Sequence, residues 1–276
     1  MLDYISSLLP RLDHHASRAI AAGALLLALV VGLVLAWPWF ERNRARLVAR
    51  PRRAYLELHL IIGFAISLLG LWLFGAITED VVHHDPLTQL DLALLDWLQA
   101  HATPAGFAIF QAISLLGSAT TMTVLGLGVV LLLAVRREWI LLGGWVAALA
   151  GGGLLNQVLK AVIQRPRPPS AAAFLSHPSW SFPSGHAMVS LICYGMLAYV
   201  LIVLRIHRRS AQIAVVLAAA LLSIAIGLSR LYLGVHYFSD VVGGYGAGLL
   251  WLSACVSGME VARFRGRSPQ RPTESA

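Results

Sequence analysis

Apolar residues in this chain come in long runs, not in the alternating pattern of a strand. The runs fall at about 19–38, 55–76, 107–135, 139–161, 185–205, 211–231 and 239–259. Several exceed the ~18 residues that let a helix cross a hydrocarbon layer. The third is long for one crossing, which predicts a tilted helix or one that projects beyond the hydrocarbon. Between the second and third runs, residues 86–101 read differently. Leu87, Leu90, Leu94 and Leu98 share one helical face, with Asp91 and Trp97 beside it. That pattern fits a helix lying in the interface, or equally a loop helix docked on the spans. The fold class predicted is all-α, a polytopic membrane helix bundle of about seven transmembrane helices in one domain.

Composition agrees. The chain is 58% hydrophobic and 12% charged, about half the charged fraction of a soluble domain. The first run is read as a retained anchor and not a signal peptide. Asp3 and Asp13 accompany Arg11 and Arg18 before it, and it ends Trp37-Pro38-Trp39-Phe40 without small residues for cleavage. Cys193 and Cys255 lie inside apolar runs, where packing is the expected role.

Charge adds an orientation. The net charge is +8, but its arginines sit in short loops, which argues for membrane topology and against a nucleic-acid partner. Arg42, Arg44, Arg46, Arg50, Arg52 and Arg53 follow the first run; Arg136 and Arg137, then Arg205, Arg208 and Arg209, then Arg263, Arg265, Arg267 and Arg271 recur at alternate ends. The intervening loop 77–106 has no Lys or Arg but holds Glu79, Asp80, Asp85, Asp91 and Asp96. The positive-inside rule makes the arginine loops cytoplasmic and places 77–106, 161–184 and 232–238 outside.

The chemistry-bearing residues gather on that outer side. Lys160, the single lysine, closes the fourth run, and Arg167 follows within Gln164-Arg165-Pro166-Arg167-Pro168. A lysine at a helix end and an arginine in a proline-stiffened turn can converge on one anion, although a lone interfacial lysine can equally snorkel. Arg165 has no such case and reads as a rim residue. Pro183-Ser184-Gly185-His186 opens the fifth run. Glycine admits a close ligand, free N–H groups at a helix start bind anions, and His186 can protonate a leaving oxygen; an ordinary helix cap is the plain alternative. Ser229-Arg230 ends the sixth run, and His236 and Asp240 stand four apart. One helical turn lets the carboxylate fix the imidazole tautomer and leave the other nitrogen free to attack; a buried pair that merely starts a helix is the alternative.

Taken together, Lys-x6-Arg-Pro, Pro-Ser-Gly-His and Ser-Arg-x5-His-x3-Asp resemble the three-part signature of the type 2 phosphatidic acid phosphatase superfamily. Its relatives include bacterial membrane lipid phosphatases, glucose-6-phosphatase and vanadium haloperoxidases. The resemblance covers about residues 55–260 and implies a six-helix phosphatase core, with the first run and its arginine loop additional. Three parts follow: an anchor and cytoplasmic loop at 1–54, the core at 55–262, and a basic tail at 263–276. It implies His236 as nucleophile forming a phosphohistidine, Asp240 as its support and His186 as acid. Lys160, Arg167, Arg230, Ser184 and the Gly185 amide would hold the phosphoryl oxygens. No metal or other cofactor is expected; His83, His84 and Asp85 are the one alternative metal cluster.

The expected partner is a lipid phosphate reaching the site from the bilayer, in a bacterial inner membrane with the site facing the periplasm or exterior. Undecaprenyl pyrophosphate, phosphatidylglycerophosphate and phosphatidic acid are the candidates. Lipid-to-lipid phosphotransfer would use the same site, and a lipid transporter is the non-enzymatic alternative. Glu57 and His59 read as packing or snorkelling residues, Asn156 as a residue placed to orient Lys160, and His177 and Trp180 as possible headgroup contacts.

Overall fold

A computed structural model describes residues 51–83, 86–173 and 179–266. The predicted first span, nearly all of the arginine loop after it, His84, Asp85, His177 and the tail beyond 266 lie outside the described residues. Within them the chain forms eight α-helices: α1 (Pro51–His83), α2 (Pro86–Ala100), α3 (Pro104–Leu115), α4 (Ala119–Val135), α5 (Trp139–Ile163), α6 (Gly185–Leu204), α7 (Arg209–Tyr232) and α8 (Phe238–Gly266). A 3₁₀ turn occupies Pro169–Ala173. Among the described residues six segments are long and apolar enough to cross a membrane, α3 and α4 together counting as one.

The long third run is two helices. α3 starts at Pro104 behind Thr103, whose side chain accepts from the Gly106 N–H, and it stops at Leu115. α4 starts after Ser118, whose hydroxyl accepts from the Thr121 N–H. A serine cap inside an apolar run is therefore what divides the span, and the expected single helix, tilted or projecting beyond the hydrocarbon, is corrected to a broken one.

α2 is docked. Asp91 and Leu95 are buried at the centre of its inner face, Leu98 packs with Ala187, Leu231 and Val241, and Leu92 and Trp97 are exposed. Asp91 belongs to the middle of the packed face, not to its side.

α6 and α8 are the most enclosed spans. Ala187, Met188, Ile192, Cys193 and Met196 of α6 are fully buried. Both cysteines are free. Lipid is as apolar as leucine, so helices in a membrane associate through close packing more than through transfer from water. α8 meets α1 at paired glycines: a Cβ on Gly70 would lie 2.7 Å from Gly246 O. Gly244 lets α8 lie against α6, where a Cβ would come 2.8 Å from Ser184 O. The glycine run thus serves packing, as its sequence suggests.

The outward faces are apolar. Ile61, Phe64, Leu68 and Leu71 on α1, Val124, Leu127, Leu131 and Val135 on α4, and Leu217, Leu221, Ile224 and Leu228 on α7 are exposed. Such bands suit hydrocarbon, not water. At the arginine-bearing end, Glu260 accepts from Tyr199 (2.6 Å) and Arg263 (2.7 Å), which carries α8 beyond the predicted end of its span.

Candidate active site

The opposite end of the bundle collects the three clusters. α5 ends where Gln164 adopts a left-handed conformation (φ 51°) and its N–H bonds back to Lys160 O. The chain then turns through Arg165-Pro166-Arg167-Pro168. Lys160 is buried, and its ammonium donates to the Trp180 carbonyl (2.5 Å) and the Ser181 carbonyl (3.3 Å). Arg167 donates through Nε to Ser179 O (2.9 Å) and through Nη1 to Val235 O (2.9 Å). Both cations are therefore held by backbone oxygens of neighbouring loops, and among the described residues neither is paired with a carboxylate. Unspent positive charge of this kind is suited to an incoming anion.

Asn156 does not orient Lys160. Its amide donates to Pro183 O (3.4 Å), and its Oδ1 would sit 3.0 Å from a Cβ on Gly185. It steadies the Pro183–Gly185 turn, and the close approach explains why glycine stands there. Ser184 N–H donates to Asp240 O (2.9 Å), tying the start of α6 to α8. The Ser184 hydroxyl is buried without a hydrogen-bond partner among the described residues.

His236 lies between α7 and α8, almost fully buried. Its Nδ1 is 3.1 Å from Asp240 Oδ2, and its Nε2 is 3.2 Å from Arg167 Nη1. A guanidinium can only donate and a carboxylate can only accept. The ring therefore carries its proton on Nδ1 and keeps the Nε2 lone pair toward Arg167. Burial pushes its pKa down to about 4, against the raising effect of Asp240. Asp240 also accepts from Tyr237 N–H (2.9 Å), from the Ser181 hydroxyl and from Arg165 (2.6 Å).

Arg230, in the last turn of α7, donates to Ser114 Oγ of α3 (2.5 Å), and its Nε is buried without a partner among the described residues. Gly117, in the α3–α4 break, allows His186 and Ile226 close to the backbone: a Cβ would lie 3.2 Å from His186 Cδ2 and 2.5 Å from Ile226 Cγ2.

Lys160, Arg167, Gly185, His186, Arg230 and His236 line one cavity of about 650 Å³. Asp240 and Ser184 stand behind that lining. The cavity continues between α4 and α5 along Met122, Leu127, Val130, Val146 and Leu149. It is thus a cationic head joined to an apolar groove. A smaller cavity of about 200 Å³ shares His186 and Arg230 and is lined by Gln111, Ser114 and Ser118.

The sequence reading missed several residues. Arg165 is not a rim residue: it bridges Asp91 (2.8 Å) and Asp240 (2.6 Å) with its side chain largely buried. Ser114, Ser179 and Ser181 had no signal, being single serines in loops or helices. Gly117-Ser118 did carry one, a turn-and-cap pair inside an apolar run. Trp180 is exposed and contributes its carbonyl; Glu57 is exposed, and His59 packs its ring against Tyr55. His83 bonds to Glu79 O of its own helix (3.0 Å).

Bundle and cluster together give a membrane-type helix bundle with a cationic pocket and an adjoining apolar groove at one end. Residues 141–263, which contain all three clusters, match the PAP2 superfamily. The chain is 32% identical over 209 residues to phosphatidylglycerophosphatase B of Bacillus subtilis, covering 71% of this chain and 97% of that relative. It is 40% identical over 114 residues to decaprenylphosphoryl-5-phosphoribose phosphatase of Mycolicibacterium smegmatis, covering 40% of this chain and 54% of the relative. A crystal structure of a transmembrane PAP2 type phosphatidylglycerolphosphate phosphatase from Bacillus subtilis superposes with a TM-score of 0.60 at 27% identity, covering 76% of this chain and 98% of the other. The chain belongs to the PAP2 superfamily and is a multi-pass membrane phosphatase of the lipid-phosphatase type.

Proposed function

We propose that this protein removes the terminal phosphate of a lipid phosphomonoester or diphosphate through a phosphohistidine at His236 Nε2, without a metal ion, at the outer face of a bacterial inner membrane. The observation that carries the reading is the state of His236. Asp240 holds the Nδ1 proton, so the nitrogen beside Arg167 is the one with a free electron pair. That nitrogen attacks phosphorus, the bond from phosphorus to the lipid oxygen breaks, and His186 gives the departing oxygen its proton. Water then attacks the phosphohistidine, its proton passes to His186, and inorganic phosphate leaves. Lys160, Arg167, Arg230 and the Gly185 amide at the start of α6 neutralise the equatorial oxygens, the task Mg²⁺ performs in kinases. Ser184 belongs to the same turn as a further donor.

The apolar groove beside the cationic head supports a lipid substrate, its tail running between α4 and α5. Phosphatidylglycerophosphate, phosphatidic acid and undecaprenyl pyrophosphate all fit that description, and the phosphatidylglycerophosphatase relatives favour the first. The outward orientation rests on the arginines at the other end of the bundle.

The test is phosphate release from purified protein in detergent against these three lipids, with excess EDTA throughout. Turnover of at least one lipid should persist under chelation and be inhibited by vanadate, which mimics the five-coordinate phosphorus. Activity that vanishes with EDTA and returns only with added divalent metal would overturn the proposed roles.

A further inference from the structure

We propose that Arg165, held in place by Asp91 of α2, is a positioning residue that sets the Asp240–His236 pair for nucleophilic attack. The proposal rests on His236 being the nucleophile. Arg165 sits two residues before Arg167 but turns the other way. It does not line the cavity. Nη1 donates to Asp240 Oδ1 (2.6 Å) and Ser239 Oγ (2.7 Å), and Nη2 donates to Asp91 Oδ2 (2.8 Å). The guanidinium lies over the Tyr237 ring, 4.4 Å from its centroid. Asp91 in turn accepts from Ser239 N–H (2.9 Å) and from the Ser239 hydroxyl.

This arrangement divides the two oxygens of Asp240. Arg165 takes Oδ1, which leaves Oδ2 for His236 Nδ1, Tyr237 N–H and the Ser181 hydroxyl. A carboxylate fixed at one oxygen cannot rotate the other away from the imidazole. The charges are also matched. When Nε2 bonds to phosphorus the imidazole ring becomes cationic, so a net negative partner at Nδ1 stabilises it. Arg165 alone would cancel Asp240. Asp91 restores the balance, and the Asp91–Arg165–Asp240 trio carries one net negative charge. Both carboxylates are buried; their pull outweighs the effect of burial on Arg165 and raises its pKa, which keeps the guanidinium charged, while burial raises the pKa of Asp91 against the hydrogen bonds from Arg165 and Ser239 that favour its ionised form. The outer helix α2, with no side chain in the catalytic cavity, thereby becomes part of the catalytic device.

The experiment compares Arg165→Gln, Arg165→Lys, Asp91→Asn and the Asp91→Asn/Arg165→Gln double variant, with His236→Ala as reference. Each is purified as the full chain, its melting temperature is recorded, and it is assayed on a short-chain phosphatidate. The readouts are kcat, KM and the inhibition constants of phosphate and vanadate. We expect kcat to fall about 100-fold in Arg165→Gln and Asp91→Asn, the scale of a misaligned catalytic group. KM and phosphate inhibition should stay within about threefold, while vanadate inhibition weakens in step with kcat/KM. Arg165→Lys should recover little, because an ammonium cannot span two carboxylates. The double variant should be scarcely worse than the singles.

Unchanged kcat in folded variants, with only a lower melting temperature, would reduce Arg165 to a structural clasp and overturn the proposal. KM and phosphate inhibition weakening together at constant kcat would place Arg165 on the substrate and overturn it equally. If Arg165→Gln does not fold, the near-isosteric Asp91→Asn decides by the same readouts. An active His236→Ala would instead sink the nucleophile assignment on which the proposal stands.

Discussion

His236 is a base whose surroundings keep it unprotonated. Burial and the nearby Arg167 and Arg230 lower its pKa to about 4, and only Asp240 pushes the other way. An ordinary histidine titrates near 6.5, so the folded protein holds this one neutral across the window between. The sign follows: as pH falls through that window the unfolded chain gains a proton and the folded one does not, so stability declines toward acid. Activity should behave differently from that of a solvent-exposed histidine. The acid limb of kcat/KM, corrected for substrate ionisation, should lie near the depressed value; a limb at the ordinary histidine value would mean the working site is not desolvated. His236→Ala should abolish phosphate release with the melting temperature little changed, and near wild-type turnover would refute its role. Arg167→Lys should not restore function, because one ammonium cannot reproduce the bonds Arg167 makes to Ser179, Val235 and His236 together.

Among the elements, the break between α3 and α4 matters most to the site. It brings Ser114 to Arg230 and leaves Gly117 against His186 and Ile226. A methyl at Gly117 would press on Ile226 Cγ2, the branch of a fully buried residue with little room to move. Gly117→Ala should therefore destabilise by about 1–3 kcal/mol, the usual scale of overpacking. It should also slow turnover by displacing His186. Thermal unfolding in detergent and the rate on a poor leaving group would read both. A fully stable, fully active Gly117→Ala would show that the break is only a connection.

For the whole molecule, the site and the arginine-rich loops after α4, α6 and α8 occupy opposite ends of the bundle. α1 has 33 residues, ~50 Å at ~1.5 Å per residue, and so extends well past a hydrocarbon layer of ~30 Å. Orientation is then testable with single cysteines. Ala105→Cys, exposed at the start of α3, should react with an impermeant maleimide added outside intact cells. Arg208→Cys, exposed between α6 and α7, should react only after permeabilisation. The reverse pattern would move the site to the cytoplasm.

Much of this architecture is written locally. Span number and position among the described residues follow from apolar run length, since a helix is the form in which one segment satisfies its own backbone in lipid. Lys160, Arg167, His186, Arg230, His236 and Asp240 could be picked out because each polar residue beside a span is costly and so conspicuous. Arg165 and Asp91 could not. They stand 74 positions apart, each beside a more obvious feature, and their role exists only because α2 docks where the α5–α6 loop meets α8. The same holds for the carbonyls of Trp180 and Ser181 that hold Lys160: every residue has a carbonyl, so no side-chain pattern marks them. Sequence by itself determined which described segments span, though not the break between α3 and α4, and that the three chemistry-bearing clusters share one end of them. Tertiary structure decided which nitrogen of His236 is free, what holds Asp240 in place and where the apolar groove joins the site. Each of these depends on distances between segments remote in the chain, which only the packed helices set.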